Sequence, residues 1–193
     1  TDIIEQLSLA EKCSLLSGLD FWNIVGIEHA GIPALKMSDG PHGLRRQAGA
    51  EDHLGLNGSV PATCFPTASA LASGWDTELV HEIGEALGRE AAAGGVGMLL
   101  GPGLCLKRDP LCGRNFEYFS EDPVLSGKLA ASMIRGIQSV GISACAKHFA
   151  VNNQETRRLT IDAVTDERSL RELYLRSFET AVKEGKPLGI MSA

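Results

Sequence analysis

Lys147 and His148 stand side by side at the end of an apolar run, and Asn152, Asn153, Gln154 and Glu155 follow at once. Lysine donates hydrogen bonds, histidine donates or accepts, and the amides do both. Such a dense polar loop suits a ligand rich in hydroxyls; a solvated loop with a capping asparagine accounts for the same residues. Asp39 ends another apolar run, just before Gly40-Pro41. An aspartate there can satisfy turn N–H groups or accept from two vicinal hydroxyls. Arg114 lies in CGRNFEYFSEDP (112–123), a segment with three aromatic rings. It is either a binding cation or a surface arginine paired with Glu117 or Asp122, and Arg157 and Arg158 carry the same bland alternative. The histidines (His29, His42, His53, His81 and His148) show neither HxH nor HExxH spacing, so no metal site is expected. Ser38 and Ser192 lack a GxSxG setting. SDGPHG (38–43) is neither a dinucleotide fingerprint nor a P-loop, so no cofactor is expected.

Period and punctuation mark the elements that must hold these groups. Ser8-Leu9-Ala10-Glu11 fits a capping box, with Gly18 placed to end the helix. Residues 34–38, 97–101, 142–146 and 188–192 read as short apolar strands. Asp76 is expected to cap a helix whose inner stripe is Leu79, Val80, Ile83 and Leu87, stopped by Gly94-Gly95, with His81 on its outer side. Asp122-Pro123 opens a second helix, with Leu125, Leu129, Ile134 and Ile137 inward and Gly141 at its end. Asp166 caps a third, with Leu170, Leu173, Tyr174, Phe178 and Val182 inward and Gly185 closing it. Apolar strands alternating with amphipathic helices imply a parallel sheet covered by helices. An open doubly wound sheet and part of a closed barrel both fit that order. The missing Gly-rich phosphate turn counts against the open sheet. Asp39, the Arg114 loop, Lys147-His148 and Met191-Ser192 all follow carboxyl ends of strands, where barrel enzymes build their sites. The expected fold class is therefore α/β: a partial (β/α)8 TIM-type barrel, about its first half. Four strands leave two sheet edges unpaired, so the domain is read as incomplete.

With 193 residues and 44% hydrophobic content, the chain can bury one sizeable core. A net charge of -6, without clustered Lys and Arg, argues against a nucleic-acid partner. No apolar run approaches the roughly 18 residues of a membrane span, and neither an initiator methionine nor a signal peptide is recognisable. Cys13, Cys64, Cys105, Cys112 and Cys145 are odd in number and never spaced CxxC. They are expected to be free thiols, mostly buried, which favours the cytoplasm, with a secreted form whose signal peptide has been removed as the alternative.

The segments MSDGPHGLR (37–45), CFPTASALASGWD (64–76), CGRNFEYFSEDP (112–123), KHFAVNNQETRR (147–158) and IMSA (190–193) resemble glycoside hydrolase family 3, in its β-glucosidase branch and in the family's order. The resemblance implies hydrolysis of terminal β-D-glycosyl, above all β-D-glucosyl, residues by a retaining two-carboxylate mechanism. It implies that Asp39 holds hydroxyls on the far side of the glycone ring and that Arg114, Lys147 and His148 grip ring hydroxyls. It places Arg158 near the nucleophile and Met191 on the pocket wall. Asp39 and Lys147 are expected to pair when no sugar is bound. NNQE after KHF matches the glucosidase and xylosidase branch and lacks the catalytic histidine of the N-acetylglucosaminidase branch. The family's nucleophile lies in an SDW-like motif that does not occur here, so no catalytic carboxylate is assigned. The implied partners are a β-glucoside or short oligosaccharide, the rest of the catalytic domain and a second domain. A non-catalytic sugar-binding fragment and a β-xylosidase specificity are the alternatives.

Overall fold

The computed structural model describes residues 2–49 and 57–193; His53 lies outside the described residues. Five strands form one sheet in the spatial order β1-β2-β3-β4-β5: β1 (Asn23–Ile24), β2 (Leu35–Ser38), β3 (Met98–Leu99), β4 (Ser143–Phe149) and β5 (Gly189–Ser192). β2, β3, β4 and β5 are mutually parallel neighbours, in register at Met37 with Met98, Leu99 with Ala144, and Lys147 with Met191. Spatial order equals chain order and never reverses. A doubly wound sheet reverses at its switch point, whereas a barrel keeps winding one way. The architecture is therefore a half-barrel.

Helices supply the outer layer. α3 (Thr77–Ala93) begins at Asp76, whose Oδ1 accepts from the N–H of Glu78 and Leu79. α4 (Pro123–Ser139) begins at Asp122, which accepts from Leu125 N, with proline in the first turn. Each cap satisfies N–H groups that have no partner inside the helix and contributes about 1 kcal/mol. Leu87, Leu129, Ile134 and Ile137 are fully buried in the core with Leu99, Ala144 and Ala146 of the sheet. Each such side chain contributes about 1.5–3 kcal/mol through burial. After Asp166 the last helical stretch alternates α5 (Glu167–Ser169) and α6 (Leu175–Thr180) with π-helical turns at Leu170–Tyr174 and Ala181–Gly185.

Several expectations are corrected. β1 pairs antiparallel with β2 and is too short to show any period. Helix α1 (Leu9–Ser14) has the expected Ser8–Glu11 capping box but ends before Gly18, which instead bridges Ile24. A short helix, α2 (Ala68–Ser73), occupies part of the 64–76 segment. Leu79 and Val182 are exposed; Gly84, Gly88 and Ala91, and Ser177 and Ala181, take the inward places. The residue in the left-handed conformation after the last helix is Lys186, one beyond Gly185. The cysteines are unpaired, but only Cys105 and Cys145 are buried. No helix among the described residues is long and apolar enough to cross a membrane.

Candidate functional site

The carboxyl ends of β2 and β4, the 112–123 loop and β5 surround one pocket of about 1170 Å³. Asp39 follows β2 directly, at the start of a tight turn. Gly40 takes a φ of 116°, and a Cβ there would fall 1.9 Å from the Gly43 carbonyl oxygen, so only glycine closes this loop. Arg114, Glu117 and Tyr118 come from a single 3-10 turn, Asn115–Glu117. Lys107 anchors that turn by donating to the Asn115 carbonyl at 2.6 Å, and Gly103 lets it approach β4. Lys147 and His148 are adjacent and yet both line the pocket, at the point where the β4–β5 register shifts between Lys147 and Phe149.

Lys147 is 2% exposed and has two carboxylates at its ammonium. Nζ donates to Asp39 Oδ1 at 2.7 Å, and Glu117 Oε2 lies 3.3 Å away. The other Glu117 oxygen accepts from Arg114 Nε at 2.5 Å. Burial alone would push the Asp39 carboxyl up. The Lys147 charge and hydrogen bond outweigh this, with the Gly40 N–H and Arg114 adding to them, and the carboxyl is held below its ordinary value. Arg114 Nη2 lies 2.8 Å from His148 Nε2. A guanidinium only donates, so Nε2 accepts and the ring proton sits on Nδ1, 3.1 Å from Tyr118 Oη. The Tyr118 hydroxyl in turn donates to the Asn152 carbonyl at 3.3 Å. Burial, followed by the nearby charges of Arg114 and Lys147, pulls the His148 pKa down to about 3. His148 is a neutral, oriented imidazole.

The expected Asp39–Lys147 pair is present, and Arg114, Lys147 and His148 meet in the same cluster. Met191 and Arg158 line the pocket too. Arg158 sits at its rim, with a side chain 59% exposed and Nη1 3.2 Å from Glu155 Oε2. Glu155 Oε1 is 3.8 Å from Arg114 Nη1. Arg114 does pair with Glu117, but the pair is buried under the pocket rather than displayed on the surface. Sequence reasoning missed the roles of Glu117 and Tyr118, three and four residues after Arg114. It also missed Phe21 and Trp22, an edge-to-face pair 4.8 Å apart at the pocket mouth. Asp20 held this signal: its Oδ1 accepts from the N–H of Trp22 and of Asn23, a local turn that sets the aromatic pair. Among the described residues no three His, Cys, Asp or Glu side chains are grouped to hold a metal ion.

Three carboxylates (Asp39, Glu117, Glu155) meet three cations (Lys147, Arg114, Arg158) around one neutral histidine. An ion-paired set of balanced charge is better matched to an uncharged, hydroxyl-rich ligand than to an anion.

The family model described as the N-terminal domain of glycosyl hydrolase family 3 matches residues 29–193. The thermostable β-glucosidase B of Acetivibrio thermocellus is 59% identical over 191 residues, covering 99% of this chain and 25% of that protein. An exo-α-(1→6)-L-arabinopyranosidase of Bifidobacterium longum is 49% identical over 189 residues, covering 97% of this chain and 25% of its own length. The solved structure of β-glucosidase 3B from Thermotoga neapolitana in complex with α-D-glucose superposes with a TM-score of 0.91 at 44% identity. It covers all of this chain, which spans 28% of that one. The chain thus spans about a quarter of the length of the curated relatives it matches. Half-barrel, motif order and these likenesses agree: the chain belongs to glycoside hydrolase family 3.

Proposed function

We propose that this chain is the N-terminal part of the catalytic barrel of a longer retaining β-glycosidase, and that it holds the glycone, a β-D-glucosyl residue. The observation that carries this reading is the cluster of Asp39, Arg114, Lys147 and His148 in one pocket at the carboxyl ends of the strands. Lys147 and Arg114 donate to ring hydroxyls, Asp39 accepts from a vicinal pair, and the neutral imidazole of His148 orders the guanidinium beside it. In a retaining reaction one carboxylate attacks the anomeric carbon and a carboxylic acid about 5–5.5 Å away protonates the leaving oxygen. Asp39 and Glu117 are held in ion pairs with Lys147 and Arg114, and the SDW-like motif in which the family's nucleophile lies does not occur in this sequence. The two reacting carboxylates are therefore assigned to the part of the protein outside this chain, together with a second domain.

The test is hydrolysis of an aryl β-D-glucoside by the complete protein. Asp39→Ala and His148→Ala are each expected to lower kcat/KM roughly hundred-fold, since hydrogen bonds to charged or oriented groups are lost as the transition state forms. Near-normal kinetics in both variants would overturn the site. The 193-residue chain by itself is expected to show no turnover; robust hydrolysis by it would refute the placement of the nucleophile. A second glycone is favoured by one observation, the L-arabinopyranosidase relative at 49% identity. Comparing kcat/KM on aryl β-D-glucoside and aryl α-L-arabinopyranoside separates the two.

A further inference from the structure

Lys147 is nearly inaccessible, and its two carboxylates differ in kind. Asp39 is 33% exposed on its side chain, lines the pocket, and stands on a turn. Glu117 is 4% exposed and is fixed from the other side by Arg114 Nε. We infer that Glu117 is a positioning residue, the fixed counter-ion of Lys147, which lets Asp39 leave the lysine and present its carboxylate to the hydroxyls of a sugar. The inference rests on the sugar-binding reading above and adds to it a residue that touches no ligand.

The electrostatic reason is direct. A buried ammonium without an anion is strongly unfavourable. If Asp39 were the sole partner, moving it onto sugar hydroxyls would strand that charge, and much of the binding free energy would be lost. With Glu117 in place, one carboxylate remains when the other turns away. Glu117 also fixes the Arg114 guanidinium against His148 Nε2, so one buried carboxylate orients both donor cations. The other titratable groups around Lys147 do not supply an anion. His148 is neutral, the Cys145 thiol is pushed up by burial, and His42, in the loop after β2, is kept neutral by burial.

The test is a double-mutant cycle on the complete protein, with glucose binding measured by calorimetry. Asp39→Asn alone is expected to weaken glucose about ten-fold or more, as does Glu117→Gln alone. In the Glu117→Gln background Asp39 is already committed to Lys147, so adding Asp39→Asn costs little further. Glu117→Asp, which keeps the charge, restores part of the affinity. Additive losses in the cycle, or a Glu117→Gln variant that binds glucose normally, overturn the inference. Should Glu117→Gln fail to fold, a glucose-bound structure of the wild type decides: Asp39 off Lys147 with Glu117 still on it supports the exchange, and Asp39 unmoved refutes it. Wild-type glucose binding without any hydrolysis would overturn the glycosidase reading alone, whereas additivity with hydrolysis intact would overturn this inference alone.

Discussion

His148 lies between a guanidinium and a phenol, and burial together with the Arg114 charge favours the uncharged ring. Its pKa falls from 6.5 to about 3 in the folded protein. Above pH 6.5 the ring is neutral in folded and unfolded chains alike, so it contributes nothing to the pH dependence there. Below pH 6.5 the unfolded chain takes up a proton that the folded chain refuses. Stability then falls with pH, by about 1.4 kcal/mol per pH unit from this group, until about pH 3. Asp39 acts in the same direction: its lowered pKa contributes stability that disappears as pH falls through the folded value. His148→Asn, which cannot titrate, is expected to flatten the decline of Tm between pH 6.5 and 4 in the complete protein. An acid limb as steep as the wild type's would contradict the buried neutral imidazole. Lys147 and His148 were legible in the sequence because they end an apolar strand abruptly, and only a site or a turn explains two such groups there. Glu117 was not, because its meaning depends on burial. In the sequence it is one acidic residue in a charged loop; only the close approach allowed at Gly103 puts it beneath Lys147.

The contact between α3 and α4 is made by glycines rather than by the leucine stripes that the periodicity emphasises. A Cβ at Gly136 would stand 2.2 Å from the His81 carbonyl oxygen and 2.9 Å from Glu85 N; one at Gly84 would stand 2.5 Å from the Met133 carbonyl oxygen. Backbones therefore touch here, and neither helix can retreat without uncovering Leu87 and Ile137. Alanine in a helix gains about 1 kcal/mol over glycine in propensity. Overpacking against backbone costs about 1–3 kcal/mol, so the clash is expected to win. Gly136→Ala should lower the Tm of the complete protein, while Gly74→Ala, whose Cβ meets nothing closer than 3.5 Å, should leave it nearly unchanged. Equal or raised stability in Gly136→Ala would show that the helices slide freely. The caps at Asp76 and Asp122 and the stripes behind them were readable because capping and period are local. β1 and α2 were not, since two and six residues carry no usable period, and the sheet and the core decide their conformation.

The half-barrel has an edge at β5 that carries both an open row of backbone groups and apolar side chains. Leu188 and Ile190 are exposed along it, and Leu159 and Val164 are exposed in the segment before α5. The sheet's four parallel strands run in unbroken chain order, with β5 paired on one side to β4. A sheet edge of this kind is a template for pairing with another strand, and neighbouring apolar side chains strengthen the attraction. The isolated 193-residue chain is therefore expected to self-associate as its concentration rises, by edge pairing at β5 rather than through the helical surface. Sedimentation velocity across a concentration series measures this. Ile190→Lys places a charge on the edge and is expected to shift the distribution toward monomer, whereas Val182→Lys, on the exposed face of the last helical stretch, should not. A monodisperse monomer at every concentration would mean that the edge is protected within the chain. Association unchanged by Ile190→Lys would move the sticky surface elsewhere.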